Sequence, residues 1–300
     1  MTSPVEPGSV GVWIGAFAVA PAAEARRAAR EIEQLGYDTI WYPEGLGTRE
    51  SFTNAAVLLS ATQRIRVASG IASIWGRDAV TAANAARVLA DAYDDRFLLG
   101  LGVSHPRQVD PRGHRYEKPV ARMSAFLDAM DADPFVSPDG SPAERPPVPR
   151  VIAALRPAML RLAAAKANGA HTYLVPVEHT RRARGLLGRD ALLIAEQKVV
   201  LAADPVDVRA RARDAIAWYL DTPNYVENLR WLGFTDGDFT DGGSDALVDA
   251  LVAAGGEDDV VARVQAHIAA GATQVALQPL EEDDPFGRET LRRLAPLLLR

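Results

Sequence analysis

Ser104 and His105 place a hydroxyl and an imidazole directly after an uncharged apolar run, residues 97–102. An imidazole exchanges protons near neutral pH, so His105 is suited to general acid or base catalysis. A run that is apolar throughout is typical of a parallel strand covered on both faces, and ligands bind beyond the carboxyl ends of such strands. Pro106 then turns the chain away. The order of these residue types predicts a site of proton transfer.

Gly100 and Gly102 lie inside the same run and allow two interpretations: a dinucleotide-binding fingerprint, or a barrel strand that ends at a site. A fingerprint needs a helix directly after its glycines and normally the first βαβ unit of the chain. Pro106 intervenes here, and several strand and helix patterns come earlier, so we reject the fingerprint. We expect the glycines to leave room where backbone or ligand approaches closely.

Strand and helix patterns alternate along the chain, and each predicted strand must place its carboxyl end at one common rim, the mouth. Eight such units predict an α/β fold of the (β/α)8 TIM-barrel type. An open doubly wound sheet is the alternative, but it seldom needs eight units. The predicted strands are residues 12–17, 39–42, 65–73, 97–103, 151–155, 171–175, 194–201 and 273–280.

Length favours one domain over residues 1–300. Residues 1–10 are expected to form a flexible tail, and the proline-rich segment 131–150 a surface loop. Segment 222–245 contains Tyr225, Trp231, Phe234 and Phe239 among glycines and aspartates, which indicates an ordered insertion. We expect it to fold over the mouth or a subunit interface, because exposed aromatic side chains would otherwise form an unusual apolar surface.

The composition, 48% hydrophobic and 24% charged, is that of an ordinary soluble protein. The net charge of −6 argues against nucleic acid as the main partner, and no apolar run approaches the length of a membrane helix. The absence of cysteine excludes thiolate chemistry and fits a cytoplasmic location. A small-molecule substrate and a homodimer are therefore expected.

A metal-dependent barrel hydrolase needs several histidine and aspartate ligands at the mouth. His105 alone among the five histidines sits clearly at a strand end, so we expect no metal site. His171 is expected at the start of strand six on the stability face and His267 inside a helix, both in structural roles. His114 and His179 are placed in loops on the mouth side.

The sequence resembles the bacterial luciferase-like family of barrel oxidoreductases, and within it the branch that uses a deazaflavin, coenzyme F420. The resemblance covers nearly the whole chain. It is carried by Gly36-Tyr37-Asp38-Thr39-Ile40-Trp41, Ala68-Ser69-Gly70-Ile71, Arg96-Phe97-Leu98-Leu99-Gly100-Leu101-Gly102 and Val151-Ile152-Ala153-Ala154-Leu155-Arg156-Pro157.

The resemblance implies that the tricyclic ring lies across the mouth against a bulge in strand three, in contact with Gly70, Ile71 and Ala72. It also implies a non-proline cis peptide bond between Gly70 and Ile71. The coenzyme phosphate would be held at Leu155 and Arg156, where a helix begins and offers unpaired backbone amides to an anion. A plain helix start is the alternative for these two residues.

Further coenzyme contacts are expected from the end of strand four and from the residues after the bulge. Trp75 either walls the pocket or packs in the core. The residues concerned are Gly102, Ser104, Trp75 and Arg77.

One departure from the family lies after strand two, where related deazaflavin dehydrogenases often carry Asp-His and this chain has Glu44-Gly45. Glu44 keeps an acidic group there, and His105 is expected to replace the missing imidazole as catalytic residue. His105 matches a position where related sugar-phosphate dehydrogenases carry a catalytic carboxylate. Alternatively, His105 only caps the strand.

A locally basic loop, Arg107, Arg112, Arg115 and Lys118, follows His105. It is either a solvated loop or a seat for the acidic tail of coenzyme F420. The predicted function is hydride exchange between the deazaflavin and an organic substrate. The alternatives are an FMN-dependent monooxygenase that incorporates molecular oxygen and, from a different class, a barrel without catalysis that serves as a partner subunit.

Overall fold

The computed structural model describes residues 9–132, 136, 149–201, 205–281 and 283–299. Within these ranges the chain forms ten strands: β1 Val10–Trp13, β2 Thr39–Tyr42, β3 Arg66–Ser69, β4 Ala72–Ser73, β5 Phe97–Gly102, β6 Arg150–Ala153, β7 Gly169–Thr172, β8 Leu192–Leu201, β9 Val252–Gly255 and β10 Gln274–Pro279.

Helices follow most of the strands and form the outer layer. They are α1 Ala22–Leu35, α2 Ser51–Leu59, α3 Ala79–Ala92, α4 Pro106–Val109, α5 Pro119–Asp131, α6 Pro157–Lys166, α7 Val177–Leu187, α8 Pro205–Leu220, α9 Pro223–Leu232, α10 Asp245–Leu251, α11 Glu257–Ala269 and α12 Arg288–Leu298. Short 3-10 turns occur at Gly15–Ala18, Asp110–Arg112 and Asp236–Phe239.

The strands close into a parallel barrel in the order β1, β2, β3, β5, β6, β7, β8 and β10, and β10 pairs back onto β1. This confirms the predicted (β/α)8 architecture and excludes the open sheet, which would leave two unpaired edges. The carboxyl ends of the strands therefore meet at one mouth.

Helix α1 shows how the sequence specifies the outer layer. Ala25, Ala28, Ala29 and Ile32 recur at helical spacing, and all four are buried against the barrel. Gly36 ends the helix with a φ of 95°, a left-handed conformation that glycine adopts without a Cβ clash.

An apolar cluster inside the barrel takes one buried side chain from each of seven strands: Trp13, Trp41, Ala68, Leu98, Val151, Ile194 and Ala276. His171 of β7 packs beside it, with its ring 4.8 Å from that of Trp41. The barrel is thus a packed core that leaves its open volume at the mouth.

A second apolar core lies outside the barrel, and we call it the α8–α10 cluster. Its buried members include Ile216 of α8, Leu229 of α9 and Leu247 of α10. It meets the barrel through Leu155, Leu174 and Val175, which follow β6 and β7. Helices α8, α9 and α10 therefore pack on one another through apolar side chains and contact the barrel at its mouth.

Several predicted boundaries differ from the structure. The strand predicted at 65–73 is split by Gly70 and Ile71 into β3 and β4, and both pieces pair with β5. Strand β9 was missed, because its alanines have low strand propensity and its pairing with residues 198–201 of β8 is a tertiary contact. Segment 222–245 contains helix α9 and the 3-10 turn Asp236–Phe239.

The expected tail and loop are shorter than predicted. Val10 lies in β1, and Ser9 accepts a backbone hydrogen bond from Val275, so both belong to the sheet. Residues 1–8 lie outside the described residues. Likewise Asp131 ends α5 and Arg150 begins β6, whereas 133–135 and 137–148 lie outside the described part, as do residues 202–204.

Candidate active site

A cavity of about 690 Å³ opens at the mouth of the barrel. Most of the residues predicted for the site line it, although they come from four different strand ends. They are Glu44, Gly70, Ile71, Ser104, His105, Leu155 and Arg156. Four other predicted contacts lie behind this lining: Ala72, Trp75, Arg77 and Gly102.

The bulge between β3 and β4 forms one wall. Its Gly70–Ile71 peptide bond is cis, which confirms the expectation from the family resemblance. Trp13 Nε1 donates to the Gly70 carbonyl oxygen at 2.9 Å, and Ser69 Oγ donates to the Gly100 carbonyl oxygen at 2.7 Å. Gly70 N also donates to the Tyr42 carbonyl oxygen of β2 at 2.7 Å, so β1, β2 and β5 all contact the bulge or the strand end that leads into it.

The two glycines of β5 make room for this bulge. A Cβ on Gly100 would lie 2.0 Å from the Ser69 carbonyl oxygen, and one on Gly102 would lie 2.2 Å from Ile71 Cδ1. Neither glycine contacts the cavity, so their role is close backbone and side-chain approach within the wall. Gly102 was predicted to bind coenzyme; instead, the Ile71 side chain covers it.

The two glycines should respond differently to alanine. Ser69 offers backbone, which cannot move without disturbing β3, whereas the Ile71 side chain can rotate into the cavity. We expect Gly100→Ala to lower the free energy of unfolding by about 3 kcal/mol or more and Gly102→Ala by only about 1 kcal/mol. Urea unfolding of both variants measures this difference. A larger loss in Gly102→Ala would contradict the assignment.

His105 contacts two aromatic rings of the cavity wall, with ring centroids 6.1 Å from Trp218 and 5.5 Å from Tyr225. It precedes α4 and follows Ser104, which has a left-handed φ of 56°. Burial lowers the pKa of His105, so the neutral imidazole prevails at neutral pH. Its ring has no hydrogen-bond partner among the described residues and remains available to a ligand.

Glu44 does not support the predicted role in proton transfer. Its Oε2 accepts from Ser73 N at 2.7 Å and from Arg77 at 2.9 Å, and its Oε1 accepts from Ser51 N at 3.1 Å and also from Arg77. Both side chains are nearly fully buried. A carboxylate that accepts all these hydrogen bonds is committed to its protein partners. Glu44 and Arg77 therefore tie the end of β2 to β4 and α2.

Trp75 packs behind the wall, the second of its two predicted alternatives. Its Nε1 donates to the Val103 carbonyl oxygen at 2.8 Å, and the guanidinium of Arg122 lies 4.7 Å from its ring centroid. His114 lies 5.5 Å away, between ring centroids. These contacts fix the start of the loop that carries His105.

The start of α6 lies at the edge of the cavity, where Leu155, Arg156, Pro157 and Ala158 all contribute to the lining. Arg156 is the N-cap and makes no side-chain cap hydrogen bond, and Pro157 occupies the first turn. His179 Nε2 donates to the Leu155 carbonyl oxygen at 2.7 Å and fixes the preceding loop. An uncapped helix start beside a cavity suits an anionic group such as a phosphate.

Several basic side chains lie at the start of α6 and in the loop after His105, and of these only Arg156 lines the cavity. Arg107, Arg115, Lys118 and Arg156 are exposed, whereas Arg112 is half-buried and donates to the Gly45 carbonyl oxygen at 3.4 Å. Arg115 pairs with Glu117 at 3.0 Å, which offsets part of the positive charge of this loop.

The sequence did not reveal the aromatic wall of the cavity. Trp13 of β1 lies against the bulge, and its ring packs on that of Tyr173 at 5.0 Å. The wall continues through helices α8 and α9 with Trp218, Tyr219 and Tyr225. Tyr225 belongs to the segment 222–245, and Trp231 of that segment packs against His179 at 5.8 Å. A paired Glu196 and Lys198 lies beneath this wall, each side chain 1% exposed. Charges two residues apart in an otherwise apolar strand are the signal that points to this pair.

Two other histidines differ from their predicted positions. His171 is the third residue of β7 rather than at its start, and it lines the cavity floor with Nε2 unpartnered. His179 lies in α7, not in a loop, and is buried. His267 is in α11 as expected, hydrogen-bonded to Thr180 and Gln197.

Among the described residues, no cluster of three or more His, Cys, Asp or Glu side chains has the arrangement of a metal site. Over the same part of the chain, no helix combines the length and apolar character needed to cross a membrane.

The closed barrel with its cavity at the carboxyl ends of the strands defines a protein of the TIM-barrel class. Within that class, the profile of the luciferase-like monooxygenase family matches residues 5–274. The chain belongs to this family.

Individual relatives include both coenzyme types. A 122-residue stretch is 31% identical to a Mycobacterium tuberculosis protein provisionally named a coenzyme F420-dependent oxidoreductase, covering 40% of this chain and 35% of that protein. The coenzyme F420-dependent tetrahydromethanopterin reductase of Methanopyrus kandleri superimposes with a TM-score of 0.76 at 15% identity, over 97% of this chain and all of that one.

A third similar structure is the oxygenating component of 3,6-diketocamphane monooxygenase from a plasmid of Pseudomonas putida, in complex with FMN. It superimposes with a TM-score of 0.69 at 15% identity, covering 98% of this chain and 99% of that one. At these identities the structural comparisons establish a shared fold.

Proposed function

We propose that the protein is a coenzyme F420-dependent oxidoreductase that exchanges hydride between the deazaflavin and a small organic substrate. The observation that carries the proposal is that the Gly70–Ile71 bulge and the uncapped start of α6 line the same cavity at the mouth. A flat ring fits against the bulge while a phosphate reaches the helix start. The sequence similarity to the M. tuberculosis protein supports the deazaflavin branch.

When bound, the deazaflavin supplies the two-electron chemistry, and the protein supplies position, electrostatics and proton transfer. Gly70 and Ile71 would back the ring, and Leu155 and Arg156 would hold the phosphate. His105 lies in the cavity wall with a neutral imidazole at neutral pH. It can therefore accept the proton of a substrate hydroxyl as the carbon is oxidised and return it in the reverse reaction.

An FMN-dependent monooxygenase is the second candidate, since the phosphate site serves either coenzyme and the P. putida structure holds FMN. Only the basic loop distinguishes the two physically, because FMN lacks the acidic tail that Arg107, Arg115 and Lys118 would meet. Such exposed contacts contribute about 0 to 1 kcal/mol each, so several must act together.

We expect the protein to bind coenzyme F420 more tightly than FMN, with a preference that shrinks as salt rises, because exposed charge contacts are screened and buried ring contacts are not. Fluorescence titration of both coenzymes at low and physiological ionic strength measures this. Equal affinity, or tighter binding of FMN at low salt, would favour the monooxygenase. Binding of neither coenzyme would favour a non-catalytic partner subunit.

A homodimeric, cytoplasmic enzyme with a small-molecule substrate completes the proposal. The absence of cysteine supports a reducing compartment. Analytical ultracentrifugation of the purified chain tests the dimer directly.

A further inference from the structure

We propose that the hydroxyl of Tyr219 binds the oxygen atom of an uncharged carbonyl or alcohol substrate, held in place by Tyr173 and Lys198. This inference deepens the proposed function and rests on it, since it names the substrate class of the same cavity. It predicts apolar or aromatic ketones, aldehydes and their alcohols as substrates.

A buried hydrogen-bond network beneath the aromatic wall carries the inference. Lys198 Nζ donates to Tyr173 Oη at 2.8 Å, to Gln278 Oε1 at 3.0 Å and to Glu196 Oε1 at 3.3 Å. These three contacts use all three ammonium protons. Tyr173 Oη lies 2.9 Å from both Gln278 Oε1 and Tyr219 Oη. The network therefore runs from a buried charge to a hydroxyl on the cavity wall.

The network has two hydrogen-bond arrangements because Tyr173 accepts from Lys198 and has one proton of its own to donate. If Tyr173 donates to Tyr219, the Tyr219 proton is free to point into the cavity. If Tyr173 donates to Gln278, Tyr219 donates back to Tyr173 and offers only lone pairs to the cavity. Tyr219 thus presents either a donor or an acceptor, as a hydroxyl can.

These two states match the two forms that hydride exchange interconverts. A carbonyl oxygen accepts a hydrogen bond, whereas an alcohol can donate one. One residue can therefore bind substrate and product in the same place without moving. The ammonium of Lys198 favours the arrangement in which protons point toward the cavity.

Charge and surroundings narrow the substrate class. Lys198 is balanced by Glu196, which also accepts from Leu174 N at 2.9 Å, so the buried pair has no net charge to attract an anion. The neighbouring surface is aromatic: Tyr219 lies 4.9 Å from the rings of both Trp218 and Tyr225. Such a wall favours an apolar group attached to the oxygen-bearing carbon.

The test uses acetophenone and 1-phenylethanol as probes of the two forms, added to the protein without coenzyme. We expect Tyr219→Phe to weaken binding of both by about 3- to 10-fold, the effect of losing one neutral hydrogen bond. Tyr93→Phe is the control: Tyr93 follows α3 and does not line the cavity, and its hydroxyl donates to the Ala56 carbonyl oxygen at 3.4 Å. It should stay within twofold of wild type.

The infrared carbonyl band of acetophenone, isotope-labelled at the carbonyl carbon, reports the hydrogen bond itself. In the wild type we expect this band below its position in an aprotic solvent, with the shift lost in Tyr219→Phe and kept in Tyr93→Phe. Tyr173→Phe should reduce the shift, because it disconnects Lys198. An unshifted band in the wild type, or a shift that survives in Tyr219→Phe, would overturn the proposal, and the wild-type band decides even if a variant is unstable.

Coenzyme binding separates this inference from the proposed function. We expect Tyr219→Phe to bind coenzyme F420 as the wild type does. If the wild type shows the shifted band but binds neither coenzyme, the oxygen-binding site stands and the proposed function falls. If coenzyme F420 binds and the band is unshifted, the function stands and this site falls.

Discussion

Replacing His105 with glutamine should lower turnover by about 10² to 10⁴, the usual effect of removing a general acid or base. Glutamine keeps a polar side chain of similar reach but cannot exchange a proton. Because burial lowers the pKa of His105, the acidic limb of the wild-type pH–rate profile should lie below the ordinary histidine range. That limb should disappear in the variant. Steady-state kinetics of alcohol oxidation at saturating coenzyme measures both effects.

His114→Gln is the matched control for this prediction. His114 lies in the same loop region and is exposed, and its ring contacts Trp75 behind the wall. We expect its turnover to remain near wild type. The coenzyme affinity of both variants should change little, since neither imidazole lies at the bulge or at the start of α6. If the His105→Gln variant kept the turnover of the wild type, the catalytic role of His105 would be contradicted and a structural role would remain.

The protein should lose about 4 kcal/mol of unfolding free energy between pH 7.5 and pH 5.5 because of three buried histidines. Burial lowers the pKa of His171 and His267 to about 3 and that of His179 to about 4. As the pH falls below about 6.5, these histidines become protonated in the unfolded chain but stay neutral in the folded chain. The free energy of unfolding therefore falls by about 1.4 kcal/mol per histidine and pH unit.

Carboxylates do not account for a loss in this range. Carboxylates with a lowered pKa, such as Asp131 beside Arg150, stabilise the folded chain at both pH values. Their contribution is lost only when the pH falls below the ordinary pKa of a carboxyl group. Urea unfolding at the two pH values measures the loss. His267→Gln, which can still bond Thr180 and Gln197, should lose only about 3 kcal/mol over the same interval. Equal stability at both pH values in the wild type would contradict the prediction.

Sequence reasoning succeeded where the signal is local. The apolar run of β5 and its glycines predicted a strand that ends at the cavity, and His105 does line that cavity. Repetition of strand and helix patterns predicted the barrel. The resemblance to the family supplied the bulge, because a cis peptide bond leaves no mark in the physical pattern of a single sequence.

Sequence reasoning failed where tertiary partners decide the role of a residue. Glu44 appears catalytic until Arg77 and the backbone amides of Ser51 and Ser73 are placed around it. Tyr219 and Tyr225 lie in helices whose packing onto the mouth no local pattern reveals. The charged pair in β8 was visible in the sequence, but its connection to Tyr173 depends on how β7 and β8 are aligned.

The separate packing of the α8–α10 cluster has a consequence for how enzymes on this barrel diverge. The helices of this cluster contribute Trp218, Tyr219 and Tyr225 to the cavity, whereas the barrel contributes the bulge and the start of α6. Changes among these helix residues can therefore alter which substrate is accepted while the bulge is inherited intact. Leu155 belongs both to this cluster and to the proposed phosphate seat, so it is the position where a change in substrate choice would reach the coenzyme.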